Sequence, residues 1–314
     1  MSRNLEVRPV SDGDDPQRFA TTWNEVFPCN PYSADEFVRS WDAAPAAVAL
    51  LAVVDGSVAG VGHAETHHWA PDATTAIGGV AVLRWARGAG IGSMLATGVG
   101  DWARAQGCDG LDVFAINRPS GAGGFWVARG FSERFRESVR ERALEMSAPV
   151  PVAARKGITF VRQCDCPDLD EAVYAVAREA IADSPGGEGD RYEAGDLAHW
   201  RANEYRAPGV IAECTVIAVD GDGIPVGYAS LSRMEALPGT AMHGFTGVAR
   251  DWRGRGIATA LKVEQITHAR NYGLTALRTE NVAHNAAMIA VNNRLGYEEI
   301  YQVSALRGPL VPPT

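Results

Sequence analysis

Lysine is almost missing from this chain. Lys156 and Lys262 are the only two among 29 basic residues, so arginine carries nearly all of the positive charge. With the abundance of alanine, that bias reflects a GC-rich genome and says nothing about mechanism. Positive charge is itself in deficit, 29 Lys and Arg against 38 Asp and Glu, for a formal net charge of -9. A polyanion would be repelled by such a chain unless a basic patch were segregated on one face, so nucleic acid is not expected as a partner and a cationic small molecule is favoured. Cysteine pairs are lacking too. Cys29, Cys108, Cys164, Cys166 and Cys214 are scattered with no C-x-x-C, which argues against a disulfide framework and a zinc site. Nor does any apolar run approach the roughly 18 residues that span a bilayer. The N-terminus, MSRNLEVRPV, has no apolar signal core. No membrane partner is expected, and the expected location is cytoplasmic.

What is present is a repeat. At 314 residues, 46% of them hydrophobic and 21% charged, the chain has the makings of two ordinary globular domains. Sliding the sequence on itself by 166 residues aligns Val82 with Val248, Arg87 with Arg253, Gly90 with Gly256, Leu95 with Leu261, Gly107 with Gly273, Leu111 with Leu277 and Gly130 with Gly296. A register held this long marks a duplicated domain rather than a solenoid unit. Each half reads as an opening strand, two amphipathic helices and a run of strands, with Ser33 and Asp168 as N-caps. Asp55-Gly56 marks a hairpin in the first half. A strand then runs straight into a glycine-rich turn, followed by a helix, a strand, a shorter helix and closing strands. The boundaries read as 1–148 and 157–314, with the Pro- and Ala-rich stretch 149–156 as linker.

The glycine turns, RGAGIG at 87–92 and RGRGIA at 253–258, are suited to phosphate, because free backbone N–H groups and the positive end of a helix dipole meet there. A Walker A loop needs a lysine that neither copy has, which excludes that route to ATP or GTP hydrolysis. The dinucleotide fingerprint needs a third glycine where Ser93 and Thr259 stand. What remains is R-x-x-G-x-G/A, met by Arg87, Gly90 and Gly92 and by Arg253, Gly256 and Ala258.

At these positions, and in the order of strands and helices around them, nearly the whole chain resembles the GNAT family of acetyl-CoA-dependent N-acyltransferases, doubled in tandem. The resemblance implies an α+β fold: two tandem domains, each with a mixed, mostly antiparallel central sheet flanked by helices. It implies acetyl-CoA as co-substrate and no metal. It places the pyrophosphate on Arg253, Gly254, Arg255, Gly256, Ile257, Ala258 and Thr259, and in the first half on Arg87, Gly88, Ala89, Gly90, Ile91, Gly92 and Ser93. The pantetheine arm would pair with the strand before each turn, at Gly247 and Val248 and at Ala81 and Val82. An N–H there would stabilise negative charge on the thioester carbonyl as an amine attacks.

Family members carry an asparagine twelve residues before the aromatic of a terminal GF, and a tyrosine five before it that serves as general acid. Counting back from Tyr297 gives Asn285, which matches, and Asn292 in place of the tyrosine; from Phe131 the same positions are Pro119 and Trp126. The second half is therefore expected to be the catalytic one, and the first, degenerate in function, to bind coenzyme A without turnover or to serve as a structural partner. Asn292 is left to hydrogen-bond the sulfur or the pantetheine. The position where the family often has its base is Met242, or Ala76 in the first half, so Glu235 and His243 are the nearby candidates, with His63 and Glu65 in the first half. Strand alternation aims His243 at the opposite face unless a bulge intervenes. His63, Glu65 and His67 share a strand face, but no metal is expected on them.

The expected reaction is transfer of an acetyl group from acetyl-CoA to a primary amine of a small molecule by direct attack. The acidic loop between the first two helices of the second half, with Asp183, Glu188, Asp190, Glu193 and Asp196, suits a cationic acceptor. Three alternatives stay open: a coenzyme A-binding regulatory or scaffolding protein with degenerate sites, a dinucleotide-binding oxidoreductase, and, for assembly, either monomer or homodimer.

Overall fold

The computed structural model describes residues 4–11, 13, 15–67, 70, 73–117, 122–144, 156–186 and 190–310. It forms two compact units, residues 1–135 with 303–314 and residues 136–302. Apart from Lys156, the 149–156 linker lies outside the described residues.

The first unit begins with β1 (Leu5–Pro9), α1 (Asp15–Val26), α2 (Ala34–Ala43), β2 (Ala47–Val54), β3 (Ser57–Thr66) and β4 (Thr75–Val82). It continues through α3 (Ile91–Ala105), β5 (Gly110–Ile116) and α4 (Ala122–Val127) into β6 (Ser132–Ala143). β1 through β4 pair antiparallel in sequence order, and β4 and β5 are parallel. The apolar run of β2 is continuous because both of its faces are covered. Leu50, Ala52 and Val54 pack with Ile91, Leu95 and Val99 of α3, while Ala49 and Leu51 pack with Phe19 and Phe37 of α1 and α2. Ser33 caps α2 in a full capping box: its hydroxyl accepts from the Glu36 amide at 3.0 Å and the Glu36 carboxylate accepts from the Ser33 amide at 2.6 Å. Ser33→Ala is expected to cost about 1 kcal/mol of unfolding free energy, read by urea denaturation.

The second unit contains β7 (Thr159–Arg162), α5 (Asp170–Ala182), α6 (Leu197–Trp200), β8 (Val216–Val219), β9 (Pro225–Arg233) and β10 (Thr240–Val248). It continues with α7 (Ile257–Tyr272), β11 (Ala276–Val282), α8 (Ala286–Arg294) and the start of β12 (Glu298–Pro309). Its strands β7 to β10 pair antiparallel and β10 and β11 are parallel, the same scheme as in the first unit. The outer neighbour of β11 is β6, antiparallel from Glu137 to Ala143. The outer neighbour of β5 is β12, antiparallel from Val303 to Pro309. Each unit thus has a single parallel pair among its described strands, and the mostly antiparallel, helix-flanked α+β architecture read from sequence is the one observed.

One expected cap is corrected. Asp168 lies in a 3-10 turn, Pro167–Leu169, and α5 starts two residues later with Leu169 at the cap position and no side-chain bond. Pro167 sets that turn going before the helix proper begins. Downstream, Asp196 caps α6 through the His199 amide at 2.7 Å, and α6 widens into a π-helical turn, Arg201–Tyr205.

Candidate functional site

The glycine turns take the conformation their residues permit. Gly254 and Gly256 have φ of 74° and 75°, and Gly88 and Gly90 have φ of 80° and 82°. Side chains rarely enter this left-handed region, so glycine is required at each. In the second unit the Arg253 Nε donates to the Val248 carbonyl at 2.9 Å, tying the turn to the end of β10; Arg87 does the same to Val82 at 3.0 Å. Gly256 is the N-cap of α7 and has no side chain to occupy the first-turn amides. Those amides and the helix dipole are available to an anion. In the first unit the Ser93 amide turns back to the Gly90 carbonyl at 3.0 Å, and the Ser93 hydroxyl accepts from Arg129 at 2.7 Å.

Asp183 is not poised over an acceptor. It accepts from Arg250 through both carboxylate oxygens at 2.7 Å and from Arg253 at 2.8 Å, and these arginines hold its carboxyl down at about 2. Asp196 is spent on the α6 cap and Glu188 lies outside the described residues. Asp183, at the C-terminal end of α5, therefore braces the glycine turn through Arg253.

Between β10 and β11 the sheet opens. Pairing holds only from Thr240 to Met242 against Ala276 to Arg278, although β10 runs on to Val248 and β11 to Val282. The first unit shows the same arrangement, with β4 and β5 paired from Thr75 to Gly78 against Gly110 to Val113. In the second unit, β10 also carries a bulge between His243 and Thr246, opposite Ser230 of β9. The Phe245 amide there bonds the Ser230 hydroxyl at 3.2 Å instead of a main-chain carbonyl. In the first unit the β3–β4 register runs unbroken from Ala76 to Val82.

The bulge resets which face each residue presents. Ala241 and His243 face α7, and so does Val248, which packs with Ile257 and Leu261 even though 243 and 248 differ by an odd number. Phe245 and Gly247 face α5: a Cβ on Gly247 would lie 2.8 Å from the Ala180 Cβ and 2.9 Å from the Phe245 ring, so only glycine fits. Because the bulge falls after His243, it does not redirect that side chain. His243 is 6% exposed, its Nδ1 lies 3.0 Å from Gln265 Oε1, and its Nε2 bonds the Tyr297 hydroxyl. Burial, and next the charge of Lys262, push its imidazole well below the ordinary range, so it is neutral. Lys262 is fully buried in the same cluster, donating to Thr279 at 3.3 Å.

Two polar oxygens near the opening have no hydrogen-bond partner: Thr246 Oγ1, on the unpaired part of β10, and Asn292 Oδ1, on α8. Asn292 is completely buried and donates through its amide to Asn281 of β11, also beyond the last β10–β11 pair. Buried polar atoms are rarely left unsatisfied, so these two oxygens are free to bond a group that enters the opening. Trp126 takes the corresponding place in the first unit, packed with Val113 and Ala115 in an apolar core.

The other sequence-predicted residues are dispersed. Asn285 caps α8, accepting from the Met288 amide at 3.2 Å. Glu235 is exposed in the turn after β9, and the strand run from Ser230 to Arg233 alone is about 10 Å. His63 packs among Phe19, Trp23 and Phe37, and burial pushes its imidazole down to about 4. Glu65 bonds Ser40 at 3.3 Å, whereas His67 reaches Asp112 at 3.5 Å. No metal-binding cluster occurs among the described residues. No helix among them is long and apolar enough to cross a membrane.

Sequence reading missed the carboxyl groups on the α5 side of the second unit. Glu204 sits in the π-helical turn, half-buried beside an aromatic wall of Trp200, Tyr205 and Tyr228, and burial pushes its carboxyl up to about 8. Glu137 of β6 and Glu280 of β11 form a second group, in which desolvation and mutual repulsion push Glu137 up to about 8 and desolvation raises Glu280 as well. In the sequence Glu204 shows only as a carboxylate four residues after Trp200, which reads as an ordinary helix surface.

A model of the acetyltransferase (GNAT) family matches the chain twice, over residues 17–131 and 175–297. Among solved structures, a GCN5-related N-acetyltransferase from Sphaerobacter thermophilus is similar with a TM-score of 0.76 and 20% identity, over 99% of this chain and 97% of that one. A tandem GNAT protein from the clavulanic acid biosynthesis pathway gives 0.77 and 22%, over 99% of this chain and 100% of that one. At these identities the likeness is one of fold. A comparison with curated proteins finds no match.

Proposed function

Because the chain belongs to the acetyltransferase (GNAT) family, we propose that it transfers an acetyl group from acetyl-CoA to a primary amine of a small molecule, with catalysis in the second unit. The observation that carries the assignment of catalysis to this unit is the bulge in β10, which the otherwise matching β4 lacks. Acetyl-CoA supplies the activated acyl group as a thioester. The amides of Arg253 to Thr259 hold its pyrophosphate, and the edge of β10 at Gly247 and Val248 pairs with the pantetheine. An N–H at the opened edge donates to the thioester carbonyl as the amine attacks, in a site where such a bond is worth more than in water. Asn292, with its unpartnered Oδ1, orients the pantetheine or the departing sulfur. Asn285 acts through the start of α8, which it caps.

In this reading the first unit holds coenzyme A on Ala81, Val82 and Arg87 to Ser93 without turning it over. Its strand has no bulge, and Trp126 stands where Asn292 does. Of the base candidates, His243 and Glu235 have the weaker support, the first facing α7 and the second lying in the hairpin turn. The acceptor is proposed to be cationic, an aminoglycoside, polyamine or amino sugar. Support for that comes from Glu204, Glu137 and Glu280, carboxyl groups that a bound cation would draw into the ionised form, rather than from the acidic loop, whose Asp183 is engaged by arginines.

Calorimetry with acetyl-CoA is expected to give two sites per chain. Thiol release across a panel of amines is expected to give turnover with cationic ones. Binding without turnover on any amine would instead favour a coenzyme A-binding regulatory protein, and reaction confined to neutral or anionic amines would sink the cationic acceptor.

A further inference from the structure

We propose that Glu204, held in the π-helical turn after α6, is the group that takes the proton from the acceptor amine. This rests on the acetyl-transfer reading and goes beyond it by naming the base. Trp200 and Tyr205 are buried and Glu204 half-buried, while Arg201 and Ala202 are exposed. Trp200 is completely buried and stacks on Tyr205 at 4.5 Å, so the turn is anchored on both sides of Glu204. Both rings close on Tyr228 of β9, at 6.0 and 5.8 Å.

Tyr228 fixes the place of Glu204 relative to the chemistry. In register it is opposite Gly247, whose α5-facing side is the one the bulge creates, and its ring lies 5.9 Å from that of Phe245 in the bulge itself. Glu204 is close enough to Tyr228 for its charge to raise the phenol. Ser230, two residues along on the same face, bonds the bulge amide. Through Tyr228, Glu204 is thus placed on the α5-facing side of the β9–β10 strip, beyond the last β10–β11 pair at Met242. A π-turn adds a residue to the helical circuit, and such turns recur at functional sites because they re-aim one side chain without unfolding the helix.

The other titratable groups beside Tyr228 do not fill this role. Tyr205 and Tyr228 are raised by burial and stay protonated. Asp170 of α5 is held by Arg201 at 2.9 Å and Arg206 at 2.6 Å. His243 faces α7. Glu137 and Glu280 lie on β6 and β11, across the opening. Burial pushes the Glu204 carboxyl up to about 8, close to the pH at which a base must both hold and release a proton.

The step balances as follows. The acceptor arrives as an ammonium ion and gives one proton to the Glu204 carboxylate. The freed nitrogen lone pair forms the C–N bond to the thioester carbonyl carbon, and the C–S bond breaks with its electrons on sulfur. The second nitrogen proton neutralises the thiolate, and Glu204 returns its proton to solvent after the amide leaves.

Glu204→Gln is the test, with Glu204→Asp as a second variant that keeps the charge. Wild-type kcat/KM is expected to rise with pH through a limb near 8. E204Q is expected to lose that limb and about 100-fold in kcat at pH 8, within the range for loss of a general base. E204D is expected to keep the limb with an intermediate rate, and acetyl-CoA affinity by calorimetry is expected to stay within about twofold in both. In infrared difference spectra, the protonated carboxyl band that titrates near pH 8 has a contribution from Glu137 as well, so E204Q should show it at reduced amplitude and E137Q should leave the Glu204 part in place. An E204Q enzyme with an unchanged limb, or a band of undiminished amplitude in E204Q, overturns the role of Glu204 while leaving acetyl transfer intact. A wild type that binds acetyl-CoA but acetylates no amine overturns both.

Discussion

Lys262→Met is expected to make the second unit more stable at pH 7 and to flatten its dependence on pH. Lys262 is 1% exposed on the inward face of α7, and its partners are the Thr279 hydroxyl at 3.3 Å and the face of the Tyr297 ring at 5.3 Å. Burial alone pushes its ammonium down from the ordinary 10.5 to about 7. Between those two values the unfolded chain holds a proton that the folded chain has released. Stability therefore rises with pH across this window: it is complete above about 10.5 and is lost as pH falls toward 7. One proton corresponds to about 1.4 kcal/mol per pH unit, so the span amounts to roughly 5 kcal/mol. Methionine has nearly the same volume, needs no proton and gives up the bond to Thr279 and the contact of the ammonium with the Tyr297 ring, each worth about 1 kcal/mol. Urea unfolding at pH 7, 8, 9 and 10 should show the wild-type free energy climbing relative to K262M. Equal slopes for the two proteins would mean that the lysine is solvated in the folded state.

The same cluster shows where sequence reading stops. The glycine turns, the Ser33 cap and the helices around them were legible because each is a local device: a left-handed φ needs glycine, and a hydroxyl three residues before a glutamate closes a capping box. The face presented by Phe245 and Gly247 was not. Counting in twos along TAMHGFTGV fails after His243, because the bulge adds a residue to one strand and nothing in the string marks which. Charge was misread for a related reason. Asp183 counts as one more acidic residue of a loop until Arg250 and Arg253, 67 and 70 residues away, are seen to hold it. The 166-residue repeat identifies equivalent residues, but it cannot say that β5 takes β12 as its outer neighbour or that β11 takes β6. Strand pairing depends on which edges meet in space, and two copies of one domain offer interchangeable edges. Glu204 escaped because a carboxylate beside a tryptophan in a helix reads as surface. Only the widened turn and the aromatic wall distinguish it.

Two matched substitutions separate the roles of the repeated turns. Gly256→Val is expected to lower kcat/KM for acetyl-CoA by about 100-fold or more, and Gly90→Val to leave it within about twofold while removing one of the two binding sites seen by calorimetry. Both glycines hold left-handed φ, 75° and 82°, where a β-branched residue is a steric outlier costing about 1 to 2 kcal/mol. The valine also covers the first-turn amides that bind the pyrophosphate. Charge-assisted bonds of this kind contribute about 1.5 to 3 kcal/mol each, so losing one or two, with the strain, accounts for the factor of 100. The cost of the strained turn is common to the two variants, so any difference between them reports function rather than folding. Gly256→Ala, with a smaller side chain, should fall between G256V and the wild type. If G90V abolished turnover and G256V spared it, the catalytic assignment would have to move to the first unit, and with it the weight placed on the bulge in β10. If both abolished turnover, the two turns would be parts of one working site, and the proposed division between a catalytic unit and an idle coenzyme A-binding unit would fail.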